Sequence, residues 1–303
     1  MTMPDLWIVV SLMAAIFQTV RFMLQKVLAT STLSAAGATF ARFLYSAPFI
    51  ALLLVGYTQA TGARLPALDA RFWGFGLLGG TTQIFATICV VLLFKERNFA
   101  VGITFKKTEV IQTVLVGAIL LGDRVSWGGL GAILLGLVGL LLLSGEKEAR
   151  GFRLSGMANR AAGLGIASGV LFAFSAVSYR GASLTLATDD PLMRAGVTLM
   201  AVVAMQTVIM TVWLWLRERG EMTRVWQARR VAVWIGLTSM GGSLCWFIAF
   251  TLQNAAYVKA LGQVELILSV IASTLFFKEK ITVREAIGMT VLVASILLLV
   301  LVI

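Results

Sequence analysis

Apolar residues run along this chain in stretches of about twenty, the length that crosses a hydrocarbon core as a helix, and polar residues gather in the gaps between them. On that ruler the pattern predicts ten spans, at 6–27, 34–57, 72–94, 98–121, 126–144, 161–182, 191–215, 230–252, 254–277 and 282–302. The gaps after the third and eighth spans are short enough to require tight hairpins. The longest polar stretch, 145–160, falls in the middle. It divides the chain into a five-span unit at 1–146, a linker at 147–160 and a second five-span unit at 161–303.

The pattern also repeats. A shift of 156 places Cys89 on Cys245, Asn98 on Asn254, Glu109 on Glu265, Asp123 on Glu279 and Ser126 on Thr282. A shift of 159 aligns Leu12, Ala14 and Arg21 with Leu171, Ala173 and Arg180. Units with an odd number of spans insert with opposite orientation. The expected fold is therefore an all-α integral membrane protein of ten transmembrane helices, built as two inverted five-helix repeats. In carriers of that construction the solute site lies near mid-membrane, where the repeats meet.

Local signals refine the elements. Asp190 before Pro191 predicts a cap and a helix start. Thr282 with Glu285 has the spacing of a capping box. Gly165-x-x-x-Gly169 and Ala132-x-x-x-Gly136 predict close helix packing. Pro48 predicts a kink within the second span. Trp7, Trp73, Trp127, Trp226 and Trp234 fall near span ends and are expected at the membrane interfaces.

Composition agrees with a bilayer environment: 59% of residues are hydrophobic and 13% charged, against about 25% charged in soluble domains. The net charge of +11 resides mostly in loops between apolar runs, an arrangement that anchors helix ends and argues against nucleic acid as partner. Histidine is absent, which removes His-based metal sites and Ser-His catalysis. No nucleophile–base pair or acidic cluster stands in for them, so neither an enzyme nor a cofactor is expected. The phosphate-binding GxxxxGK[ST] pattern is missing too, which argues against ATP-driven work. Cys89 and Cys245 sit inside apolar runs and are expected to pack as thiols. The first span follows no basic segment and is expected to be retained as a helix. The loops after odd-numbered spans hold thirteen Lys and Arg, the others three, which places the odd loops in the cytoplasm and both termini outside.

Charges inside the spans carry the functional signal, because an ionisable residue at mid-membrane costs about 2.5–3.5 kcal/mol on insertion scales. Glu109 and Glu265 fall midway along the fourth and ninth spans, with Thr113 and Ser269 one turn beyond and Asn98 and Asn254 eleven residues before, nearly on the same face. Lys106 and Lys107 correspond to Gly262 and Gln263, whereas the ninth span carries Tyr257 and Lys259 instead. Two readings are open. These residues line a polar cavity and touch a solute, or Lys106 and Glu109 simply neutralise each other at i,i+3. Glu265 has no basic residue one turn away; its partner comes from another helix, or it is protonated. Arg21 and Trp246 join the candidate lining, each with a packing or pairing alternative. The candidate solute-binding set is Arg21, Lys106, Lys107, Glu109, Trp246, Tyr257, Lys259, Gln263 and Glu265, with Glu109 and Glu265 as candidate proton-coupling groups. Mixed signs suit a zwitterion such as an amino acid, with an anionic metabolite next. A channel would favour rings of like charge.

The hairpin Gly122-Asp123-Arg124-Val125-Ser126 and its counterpart Lys278-Glu279-Lys280-Ile281-Thr282, the glycine-rich fifth span, and Arg42 early in the second resemble the drug/metabolite transporter superfamily, in particular its EamA-type ten-helix exporters. The second unit keeps only Gly288 in its final span, a departure. The resemblance implies a multi-pass protein of the bacterial inner membrane, a monomer or weak homodimer, that exports a small solute through a cavity bounded by the first, third, fourth, sixth, eighth and ninth spans. Members include amino-acid exporters, with related branches carrying nucleotide sugars and sugar phosphates. The resemblance also implies cytoplasmic termini, opposite to the loop charges.

Overall fold

The computed structural model describes residues 3–31, 33–96, 105–143, 160–268, 271 and 282–303, with the side chains of 3–5 and 29–31 set aside. The described residues are helical and contain no strand. The helices are α1 (Met3–Ser31), α2 (Ala35–Thr61), α3 (Ala70–Leu93), α4 (Glu109–Leu121), α5 (Trp127–Leu143), α6 (Arg160–Thr185), α7 (Pro191–Arg217), α8 (Glu221–Gln227), α9 (Arg229–Leu252), α10 (Ala255–Leu261) and α11 (Val283–Val302). Seven of them (α1, α2, α3, α6, α7, α9 and α11) are long and apolar enough to cross a membrane, while α4 and α5 are shorter apolar helices. Asn98, Ser269, the linker at 147–159 and the hairpin signature at 278–281 lie outside the described residues.

Helix ends follow local chemistry. The Asp190 carboxylate accepts from Leu192 N at 2.9 Å, with Pro191 opening α7. Thr282 and Glu285 form the capping box at the start of α11. Gly122 ends α4 at φ 67°, a left-handed turn that a residue without Cβ adopts freely, and the chain reverses into the hairpin before α5. Pro48 is accommodated inside the continuous α2.

Two expected spans differ in a way that matters for the site. The helix predicted at 98–121 is broken by a turn at 107–108, and α4 begins only at Glu109. The helix predicted at 254–277 is broken by a turn at 262–263 and resumes at 264–268. Both breaks use tight i→i+3 bonds, Thr108 N to Phe105 O at 3.2 Å and Gln263 N to Ala260 O at 3.1 Å. The causes are local. The Thr108 hydroxyl donates to Phe105 O at 2.7 Å and competes with the helical ladder for that carbonyl. Gly262 is a poor helix former, and a Cβ there would collide with the Trp246 ring.

Packing is densest between α3 and α6, between α5 and α11, and between α1 and α9. The α5–α11 contact is backbone to backbone: a Cβ on Gly139 would lie 2.8 Å from Leu292 N, and one on Gly288 2.7 Å from Leu143 N. Ser295 Oγ donates to Ala132 O at 2.7 Å across the same interface. Small residues permit this approach where lipid offers no hydrophobic driving force. Gly169 likewise lets α6 approach the Lys106 carbonyl, 3.1 Å from where its Cβ would stand. Trp73, Trp127, Trp226 and Trp234 are exposed, whereas Trp7 is buried in the core instead of facing an interface. Cys89 and Cys245 are free thiols.

Candidate solute site

The two helix breaks place charged side chains at the centre of the bundle. Lys106 and Lys107 precede α4, Glu109 opens it, Lys259 sits on α10 and Glu265 follows the second break. All five are buried. Glu109 occupies the first turn of α4, where unpaired backbone N–H groups favour negative charge.

The charges pair reciprocally between the two halves of the sequence. Lys107 Nζ donates to Glu265 Oε2 at 3.0 Å. Lys259 Nζ lies 3.2 Å from Glu109 Oε1. The local pair Lys106–Glu109 is longer, 3.7 Å to Oε2, beyond hydrogen-bond reach, and that oxygen has no hydrogen bond among the described residues. The Gln18 amide on α1 extends the network, donating to Glu265 Oε2 at 2.8 Å while its carbonyl accepts from Trp246 Nε1 at 3.2 Å. Glu265 thus takes its partners from other helices.

Aromatic rings enclose the ammonium groups. Lys106 Nζ stands 5.4 Å from the Phe22 ring centre and 5.2 Å from that of Phe172. Lys259 Nζ stands 5.0 Å from Trp246, 5.6 Å from Phe172 and 5.8 Å from Phe250. Trp246 and Phe250 stack with centroids 5.9 Å apart. Such faces hold cations by the ring quadrupole and exclude water, which strengthens the ion pairs.

Beside this network lies a narrow cavity between α1, α2, α3, α6, α9 and α10, with about 30 Å³ of free volume, room for a water or two. Arg21, Arg42, Lys259 and Trp246 line it. A second small cavity between α4, α5, α10 and α11 is lined by Lys107 and Gln263; the Gln263 side-chain oxygen has no hydrogen bond among the described residues.

Of the sequence candidates, Arg21, Lys106, Lys107, Glu109, Trp246, Lys259 and Glu265 converge on the network and its cavity. Gln263 faces the second cavity. Tyr257 lies apart: its hydroxyl accepts from Ser126 N at 2.8 Å and braces the hairpin after α4. Asn254 caps α10 by accepting from Ala256 N, and the Thr113 hydroxyl bonds back to Glu109 O, so these polar residues serve the backbone. Sequence reasoning passed over Gln18, Phe172 and the cavity-facing position of Arg42. Gln18 carried a signal, standing three residues before Arg21 on a neighbouring helix face; Phe172, an aromatic in an apolar helix, carried none.

Seven apolar helices of spanning length describe a multi-pass membrane protein, with two interrupted helices and a buried charge network at its centre. Residues 159–301 match the model of the EamA-like transporter family. No curated protein matches the sequence. A solved crystal structure is similar to the chain with a TM-score of 0.68, covering 98% of this chain and 96% of that one at 16% sequence identity; that likeness concerns the fold.

Proposed function

We propose that this chain is a secondary transporter that carries a small polar organic solute by alternating access, with the central network as its moving contact. The observation that carries the reading is the reciprocal pairing: Lys107 with Glu265 and Lys259 with Glu109. Each pair joins the two halves of the sequence at a helix break, and interrupted helices are where transporters of inverted construction hold solutes and ions. The helix partnerships support two repeats at 1–146 and 161–303, joined by a linker at 147–160 and related by a two-fold axis. The α1–α9 contact has its exchanged counterpart in α3–α6, and α5 meets α11 as α2 meets α7. Ten spans in two inverted repeats remain the reading that accommodates these pairings.

The site bears on coupling. Glu109 and Glu265 already have lysine partners, so they act as ion-pair members whose bonds exchange as the halves rock, and a proton or a charged solute can supply the replacement partner. The finer reading from sequence, export of amino acids or similar zwitterions across a bacterial inner membrane, took the zwitterion from the mixed charges and the rest from the family resemblance. Because both glutamates already have lysine partners, an anionic solute is the reading we favour, with exchange as its simplest mode. The excess of Lys and Arg in odd-numbered loops favours external termini. Counterflow of labelled solutes into proteoliposomes tests the transport reading. Saturable counterflow that Glu265→Gln abolishes is the expected result, and equal flux in protein-free vesicles would remove it.

A further inference from the structure

We infer that the central cavity is a binding site for an organic carboxylate with an apolar or aromatic body, held by the guanidinium groups of Arg21 and Arg42. The inference rests on the transporter reading and names the solute class of the same site.

The charge balance carries it. Five buried cations (Arg21, Arg42, Lys106, Lys107 and Lys259) face two buried carboxylates, Glu109 and Glu265, among the described residues of the centre. The lysines occupy the carboxylates. No carboxylate among the described residues comes within ion-pair distance of Arg21 or Arg42. Among the described residues the cavity wall therefore presents Arg21, Arg42 and Lys259 and no acidic group.

Both guanidiniums keep donors in reserve. Arg42 spends one N–H on Thr87 Oγ1 at 3.1 Å and one on Ser243 Oγ at 3.3 Å, out of five. These bonds fix its plane without neutralising it. Arg21 is 4% exposed, its Nε lacks a hydrogen bond among the described residues, and its guanidinium stacks 4.5 Å from the Phe22 ring centre. A buried, uncompensated charge is costly unless a partner arrives. A planar fork of N–H donors matches a carboxylate in two-point fashion. Half of the remaining lining is aromatic, with Phe172, Trp246 and Phe250 around Lys259, and Gln18, Gln83, Ser175 and Ser243 supply neutral polar groups. The cavity as it stands holds only a water or two, so an apolar body enters against those rings only as the halves of the carrier move apart; an ammonium group finds the rings already facing Lys259 and no carboxylate among the described residues of the lining.

The test uses three probes with one ring and different charges: phenylacetate, phenylalanine and phenethylamine. Purified protein in detergent is titrated with each, reading intrinsic tryptophan fluorescence and the melting temperature, and the same probes are run in counterflow. Phenylacetate is expected to bind, to raise the melting temperature as any ligand selective for the folded state does, and to bind at least about tenfold more tightly than phenylalanine, with no binding of phenethylamine. Arg21→Gln and Arg42→Gln are expected to weaken phenylacetate about tenfold or more each, as loss of a charge-assisted bond implies, while Arg21→Lys recovers part of the affinity. Arg21→Gln is also expected to leave the unliganded melting temperature unchanged or higher, because it removes an unpaired charge; a residue that only held the fold together would lower it. Should Arg42→Gln fail to fold, Arg21→Gln, which has no recorded hydrogen bond to lose, carries the comparison. Tighter binding of phenylalanine or phenethylamine, absence of phenylacetate binding, or unchanged affinity in Arg21→Gln would each overturn the carboxylate assignment. Binding of phenylacetate with no counterflow would leave the assignment standing and remove the transporter reading.

Discussion

Glu265→Gln removes one charge from the buried pair with Lys107 while preserving side-chain shape. Lys107 Nζ and Glu265 Oε2 lie 3.0 Å apart, and the side chains are 5% and 11% exposed. At that separation opposite unit charges attract by about 5–6 kcal/mol if the effective dielectric is about 20. Desolvation offsets much of this, so the measurable quantity is the cost of stranding Lys107, about 3–5 kcal/mol when one member of a buried pair is removed. The Gln18 amide, 2.8 Å from the same oxygen, can still donate to the new amide carbonyl, which puts the expected loss near the lower end, about 3 kcal/mol. The assay is equilibrium unfolding of the purified protein in mixed micelles for wild type, Glu265→Gln, Lys107→Met and the double variant. The double variant is expected to be at least about 2 kcal/mol more stable than the sum of the single losses implies, since neither charge is then stranded. Lys107→Glu combined with Glu265→Lys should recover most of the wild-type stability. A coupling below about 0.5 kcal/mol, or a reversed pair no better than the single variants, would mean that the two side chains do not meet and that the halves of the sequence are not joined there.

Three further outcomes are expected. Gly288→Leu places side-chain atoms where a Cβ alone would already lie 2.7 Å from Leu143 N; separating α5 from α11 should cost about 1–3 kcal/mol or more, read as a lowered melting temperature. Arg180→Gln withdraws donors from Asp123 at 3.2 Å and from the carbonyls of Phe250 and Gln253 at 2.7 and 2.8 Å, and it should lose about 2–3 kcal/mol in the same unfolding assay. Thr282→Ala removes half of the capping box on α11 and should cost about 1 kcal/mol; a neutral result would show that neighbouring helices alone fix the start of α11.

Apolar run lengths located the elements well where helices are long and uninterrupted, because length against bilayer thickness is a one-dimensional signal. They failed at 107–108 and 262–263, where hydropathy continues through the break; the turn depends on a side chain competing for a carbonyl and on a glycine under an indole ring, both invisible to a sliding window. Glu109 and Glu265 stood out by their cost in a membrane. Their true partners did not, because Lys107 and Glu265 are far apart in sequence, and the nearer i,i+3 neighbour Lys106 makes the weaker contact. Pairing also changed the meaning of composition. Three lysines and two glutamates look zwitterionic when read as a stripe, but once paired they leave the arginines to set the character of the cavity. Trp7 illustrates the complementary limit: its position at the start of a span suggested an interface, yet packing at the end of α1 buries it.

The reciprocal Lys–Glu exchange also bears on how the protein is made. During synthesis the first half enters the bilayer before Glu265 exists, so Lys107 has to wait unpaired. The second half alone would carry Lys259 and Glu265 six residues apart, off the one-turn spacing at which a helix can neutralise its own charges. Each half is therefore an unfinished client for membrane quality control until the other arrives. Two separately expressed fragments should accumulate only when they are produced together.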